Sequence, residues 1–404
     1  MKLIIKQVLA GLALALLWSF ASARDGKPIR IGEIGSYSMM PEFGAPYRNG
    51  WLLALEEINA AGGVNGRKVV VISHDDGGKP ESALRHAQEL VVDQRIDVLA
   101  GTFLPATALA VSNFAARNKK LFVAAEASTD ALTLDKGNRY TFRLAASTYM
   151  LAAMLAEEAI KLPARRWAIV APNYEYGQSV VASFKLLLKA KRPDVVFVAE
   201  QWPALGKLKA EAVVRLLARA RPEAIFNATS GVDLEKFVRE GNLRGLFEKT
   251  SVVSTLAGAP ESLDGLKDQI LTDWIITGYP REQIDTPEHR KFMAAYTAKY
   301  NENPQFASVL GYTTMMALAE GIRKAGSTDS EKLIAAMRGL RFGTPLGVIA
   351  VRELDQQATM GAYVGRLDLL DGKAVMRQWR YADGKDYLPD AGYVRSRRPA
   401  AAMR

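Results

Sequence analysis

The chain alternates two kinds of apolar pattern. Short runs of consecutive apolar residues at 29–34 (IRIGEI), 68–73 (KVVVIS), 96–100 and 120–125 read as strands buried on both faces. Between them the apolar residues fall three and four apart. Over 46–61, Tyr47, Trp51, Ala54, Leu55 and Ile58 share one helical face, and Gly62-Gly63 with the Asn65-Gly66 turn ends it. Pro80 suits the first position of a second helix. Residues 106–118 read as a third.

A second series follows Tyr149. Helices predicted at 150–161, 178–190, 208–220 and 232–240 alternate with strands at 167–171, 194–199, 223–228 and 251–255. Such alternation builds parallel sheets covered by helices. The fold class is therefore α/β, with two doubly wound lobes. Beyond 280 the pattern loosens into helices at 287–300, 306–324 and 330–339 and strands at 346–351, 362–369 and 375–381. Asp371-Gly372 marks a hairpin between the last two.

Composition adds constraints. With 49% hydrophobic and 24% charged residues the chain is globular rather than disordered. Lys2 and Lys6, the apolar stretch 8–20 and Ala21-Ser22-Ala23 have the order of a signal peptide cleaved after Ala23. We therefore expect an exported, periplasmic protein that is not embedded in a membrane. Cysteine is absent, which excludes disulfides, thiolate metal sites and cysteine nucleophiles. The formal net charge of +10 becomes +8 without Lys2 and Lys6, and part of it sits in Arg395, Arg397, Arg398 and Arg404. Residues 393–404 read as a solvated, disordered basic tail. Basic residues interleaved with aromatics on one element, the footprint of a nucleic-acid binder, are lacking.

In open parallel sheets ligands bind beyond the carboxyl ends of the strands. The segments there carry Tyr37, Phe43, Thr102, Leu104, Thr107, Ser128, Thr129, Tyr174, Tyr176, Ser230, Asp233 and Leu256. Aromatics mixed with small hydroxyls describe a pocket for a small polar or amphipathic molecule. Ser128 or Thr129 can equally cap the following turn, and Tyr176 can equally be a packed aromatic with a satisfied hydroxyl. Asp75-Asp76 reads as a turn into the helix after Pro80. The strand at 120–125 ends in Glu126, a carboxylate where an apolar run stops. It must meet a ligand cation or donor, or a protein arginine such as Arg48 or Arg143.

The runs GVNGRKVVVISHDDGGKPESALRHAQELV and GTFLPATALAVSNFAARNKKLFVAAEASTDALT, with the Tyr-Gly of NYEYGQS, resemble the Leu/Ile/Val-binding class of periplasmic solute-binding proteins that serve ABC importers. The resemblance spans nearly the whole mature chain. It implies a type I binding protein with two lobes, 24–145 plus 278–347 and 146–277 plus 348–392. Three hinge crossings would lie near 143–148, 275–280 and 346–351. It also implies a permease partner, a monomer and no cofactor. Carried over position by position, Phe43 covers the ligand. Leu104 and Thr107 belong to the turn that holds a ligand carboxylate, of which only the Thr107 hydroxyl remains. Glu126, Ala127 and Ser128 stand where the family has an Ala-Ala-Thr run, and Tyr176 is the tyrosine of the Tyr-Gly pair. The acidic residue that binds the ligand ammonium in the family falls at Leu256, so Glu126 is positioned to replace it from the other lobe.

The function this implies is capture of an amino acid or a related amide or carboxylate by hinge closure, without chemistry; the departures at Glu126 and Leu256 leave a polyamine-like cation or an aromatic acid open as the ligand. A ligand sensor signalling to a membrane receptor would have the same pocket. An exported α/β enzyme is the other class, but the sequence lacks a G-x-S-x-G elbow, a Walker loop and H-E-x-x-H. His74, His86 and His289 are scattered, without metal-ligand spacing.

Overall fold

The computed structural model describes residues 26–266 and 273–403. The expected signal peptide, residues 1–23, lies outside them. β1 (Ile29–Gly35), β2 (Val69–Asp75), β3 (Val98–Gly101), β4 (Phe122–Ala124) and β5 (Thr141–Arg143) form an all-parallel sheet in the order β2-β1-β3-β4-β5. β6 (Arg166–Val170), β7 (Val196–Gln201), β8 (Ala224–Asn227), β9 (Ser251–Gly258) and β10 (Ile275–Gly278) form a second parallel set. Its order, β7-β6-β8-β9-β10, repeats that of the first. β11 (Arg341–Thr344) and β12 (Gly347–Ala350) make a separate hairpin, and β13 (Ala362–Leu370) and β14 (Lys373–Ala382) extend the second sheet antiparallel beside β10. In both lobes the strand order reverses at one point, and a crevice opens beyond the strand ends there.

The order of elements fits the sequence reading, with differences in detail. Helix Pro41–Ala60 starts five residues before the proline that reads as its first position. Pro41 takes that place, and Pro46 is carried inside at the cost of one intrahelical bond. β5 and β11 escape a pattern search because each is only three or four residues long. At the β13–β14 turn, Asp371 and Gly372 both have positive φ, 50° and 72°, as a two-residue hairpin whose twist matches its strands requires.

The hinge is also displaced. Ile349, Val351, Ala358 and Met360 belong to the first lobe's core, with Ile31, Trp51 and Phe142. The third crossing therefore runs through 357–362, not 346–351, and residues 348–358 belong to the first lobe. β12 folds back on β11 before the chain crosses. The first and third crossings are joined by backbone bonds, Arg143 N to Gln356 O at 3.0 Å and Ala358 N to Arg143 O at 2.8 Å.

The basic C-terminus is not a disordered tail. Residues Ala391–Arg397 form a helix, and Arg398 is 3% exposed. Its guanidinium donates to the carbonyls of Thr133, Asn138 and Asp355 and to the Gln356 side chain. Arg397 pairs with Asp135. Charge along the chain says nothing of such a carbonyl cluster, because 133–138 and 355–356 are assembled only by folding. Among the described residues no helix is long and apolar enough to cross a membrane.

Two features of the first lobe can be tested. Helix Phe306–Ala325 crosses helix Pro41–Ala60 where glycines face backbone: a Cβ on Gly311 would sit 2.1 Å from Tyr47 O, and one on Gly50 2.0 Å from Ser308 O. Gly311→Val should destabilise the protein by about 1–3 kcal/mol in denaturant titrations, because neither helix backbone can yield. Glu33, fully buried on β1, accepts from Tyr37 Oη at 2.7 Å and Ser73 Oγ at 2.6 Å, while its Oε1 has no partner. Burial pushes this carboxyl up to about 7 from 4.5. Its contribution to stability is complete below the unfolded value and is lost as pH rises through about 7. The loss is on the order of 3 kcal/mol. Unfolding midpoints of the wild type should fall across that window, and Glu33→Gln should flatten part of the fall.

Candidate functional site

The carboxyl ends of the two parallel sets face one cleft, and both lobes and the hinge line it. From the first lobe come Met40, Phe43, Phe103, Leu104, Pro105, Glu126 and Ser128, with Phe306 and Leu310 from the helix that crosses Pro41–Ala60. The second lobe contributes Tyr174, Tyr176, Ser230, Leu256, Ala259 and Glu261, and the crossings contribute Ala145, Ala146, Thr277, Gly361 and Ala362. The cavity measures about 110 Å³, several times what one water needs, so it admits a small organic molecule.

Local backbone explains why these side chains point inward. Thr102 and Leu256, each just beyond or late in a strand, have φ of 69° and 59°. Such values are uncommon without glycine and concentrate at functional sites. At Leu256 the β9–β10 register slips, and the Leu256 amide donates to Thr277 Oγ1 at 3.0 Å. The slip lets Gly258 and Gly278 lie backbone to backbone: a Cβ on Gly278 would be 2.2 Å from the Gly258 carbonyl carbon. Helices Pro105–Arg117, Glu175–Lys191 and Gly231–Leu243 begin at Leu104, Tyr174 and Ser230, three lining residues that make no side-chain cap. No N-cap side chain therefore accepts from their first-turn amides, of which the Pro105 helix lacks the first.

Of the residues picked from sequence for the pocket, Phe43, Leu104, Glu126, Ser128, Tyr174, Tyr176, Ser230 and Leu256 meet here. Tyr37, Thr102, Thr107, Ala127, Thr129 and Asp233 do not. Tyr37 is drawn under the wall, donating to Glu33 and accepting from Trp51 Nε1 at 3.1 Å. Thr107 is fully buried and its hydroxyl donates to Leu104 O at 2.8 Å, so the last hydroxyl of that turn is already used. Ala127 is packed in the first lobe's outer core. Both readings of Tyr176 hold at once: its ring lines the cleft while its hydroxyl is bonded to Thr255 Oγ1 at 2.8 Å. Of the two candidate caps, Thr129 caps the turn at Asp130–Leu132, and Ser128 faces the cleft. Asp75 and Asp76 accept from the amides of Gly77 and Gly78, holding the turn before Pro80.

Glu126 is paired with neither arginine. Arg143 is spent on Gln357, Thr129 O and Thr133 Oγ1. Arg48 lies over the Tyr37 ring, 5.7 Å from its centroid. Burial, then the neighbouring Glu261, then Glu33 raise the Glu126 carboxyl well above the usual range. Glu261 is the residue the sequence reading missed. It follows Pro260 at the start of a short helix, where an acidic residue is ordinary, so no signal marked it. Burial pushes it up to about 7 against the pull of its backbone bonds. The histidines stay outside the cleft: His74 and His86 stack at 4.6 Å with Glu89 beside them, and His289 bonds Tyr279 Oη at 2.6 Å.

Comparison with known proteins agrees with this architecture. A family model described as periplasmic binding protein matches residues 28–374. The Leu-, Ile-, Val-, Thr- and Ala-binding protein of Pseudomonas aeruginosa is 25% identical over 86% of this chain and 92% of its own. A Leu/Ile/Val-binding protein homolog of Brucella melitensis is 26% identical over 84% and 90%. Among solved structures, a solute-binding protein of an ABC transporter from Rhodopseudomonas palustris, in complex with 3,4-dihydroxybenzoic acid, superposes with TM-score 0.81 at 23% identity over 91% of this chain and 100% of that one. An ABC-type branched-chain amino acid transporter structure from the same species gives 0.74 at 25% identity, over 89% and 97%. The chain belongs to the periplasmic binding protein family, as a type I member like the Leu/Ile/Val-binding solute-binding proteins of ABC transporters.

Proposed function

We propose that this chain is the extracytoplasmic solute-capture component of an ABC importer. It works as a monomer in the periplasm after cleavage behind Ala23, and it passes its ligand unchanged to a membrane permease. The ligand is an amino acid or a related small molecule with an apolar body. The observation that carries this reading is a single cleft walled by both lobes, with aromatic and aliphatic side chains outnumbering the polar ones. Such lining suits an amphipathic molecule that a few polar groups orient.

Closure follows from the same layout. Phe43 and Phe103, 5.4 Å apart, cover one side, and Tyr174 and Tyr176, 6.0 Å apart, cover the other. A molecule touching both pairs stabilises the state in which they are near, so binding shifts an open ensemble towards a closed one. Contacts that join the lobes without ligand include Thr129 Oγ1 to Glu175 at 2.6 Å, Asp130 N to Ser179 Oγ at 3.1 Å and, at the cleft wall, the Ala307 amide to Glu261 at 2.9 Å. They leave the aromatic faces to the solute.

A thermal-shift panel of amino acids, amides, polyamines and aromatic acids should single out a ligand by a raised melting temperature. With that ligand, Phe43→Ala and Tyr176→Ala should each weaken binding about 10- to 100-fold, the worth of a buried aromatic face, while far-UV circular dichroism stays unchanged. Wild-type affinity in both variants would move the site elsewhere.

A further inference from the structure

Among the described residues, Glu126 and Glu261 line the cleft and no Lys, Arg or His does. The acids come from opposite lobes, Glu126 from the chain leaving β4 and Glu261 from the helix that follows β9. Among the described residues, the Glu126 carboxylate has no hydrogen bond or ion pair. Glu261 Oε1 accepts from the Ala307 amide at 2.9 Å, and its Oε2 is buried with no partner.

Three arginines of this region have other partners, although the Arg281 charge also pulls the Glu261 carboxyl down. Arg143 is held by the hinge, and Arg48 lies over Tyr37. Arg281 bonds Gln305 at 3.0 Å and pairs with Asp264 at 3.7 Å. Behind the first-lobe wall a third acid, Glu33, adds to the negative field that Glu126 feels. Two carboxylates without an ion pair against Phe, Leu and Tyr walls are costly unless a proton or a cation answers them. Burial favours the protonated form of both.

We propose that the solute of this cleft is a cation, an amine, amidine or guanidine on an aromatic or branched apolar body, whose charge is held between Glu126 and Glu261. This rests on the cleft reading above and narrows it. Each lobe brings one carboxylate, so the solute's positive charge is what allows the lobes to close on one another. A molecule that is only an acid meets two carboxylates and no counter-charge. An amino acid fits if its own carboxylate turns to the uncapped helix starts at Leu104, Tyr174 and Ser230. The aromatic acids bound by neighbouring structures, 4-hydroxybenzoate and benzoate, do not fit.

Isothermal titration of the mature chain at neutral pH with matched pairs tests this: tyramine against 4-hydroxybenzoate and benzylamine against benzoate. The amines should bind at least about tenfold more tightly than the acids of the same body. Glu126→Gln and Glu261→Gln should each cost the amines about tenfold or more, since each removes one charged partner. Neither variant should weaken an acid. Amine binding should also release protons, so its heat should vary with the ionisation enthalpy of the buffer; a structural role for the two residues would not produce this. Tighter binding of the acids, or amine affinity untouched in both variants, overturns the charge assignment and leaves the cleft reading standing. If a folded protein binds no member of either series and none of the amino acid panel, the cleft reading fails and this proposal falls with it.

Discussion

The structure turns on how Arg143 is used. It is 1% exposed, a full charge in the joint between lobes, and an unpaired charge there would be prohibitive. Its side chain reaches the Thr129 carbonyl, the Thr133 hydroxyl and the Gln357 side chain, and its backbone pairs with Gln356 and Ala358. Gln357 closes the loop by donating to Ala145 O at 2.9 Å. Two of the three crossings are thereby tied into one rigid piece. This arginine is consumed in the hinge, and among the described residues Glu126, seventeen residues earlier in the chain, has no hydrogen-bond or ion-pair partner. The arginine that steadies the joint is thereby not available to the cleft acids.

The second constraint is the parallel strand. Each set of βα units leaves its strand ends and helix starts on one side. Two sets in the same order, facing each other, put six loops around one space. The positive φ values of Thr102 and Leu256 and the β9–β10 slip belong to this arrangement. They turn the chain sharply at the rim, where the strand ladder no longer supplies partners.

Relatives that share this frame differ in what they hold, from branched-chain amino acids by name to aromatic acids by crystal complex. The frame therefore sets where a solute sits, and the few polar residues on the wall set which one. In this chain the wall sets Glu126, Glu261 and Leu256 among its aromatics.

The sequence by itself determined the two series of βα units, the loops that carry the site and most of its aromatic wall, because these follow from local periodicity and from the rule that parallel strands open at their carboxyl ends. It also marked Glu126 as anomalous. Tertiary structure alone decided what each polar group would meet. It spent the Tyr37 and Thr107 hydroxyls inside the first lobe and sent Arg143 to Gln357, 214 positions away. It seated Arg398 among carbonyls from two distant turns, moved the third crossing past β12, and brought Glu261 opposite Glu126. The reason is physical: burial of apolar residues repeats along the chain and can be read there, whereas the pairing of a charge depends on which distant segments folding brings within a few ångströms of it.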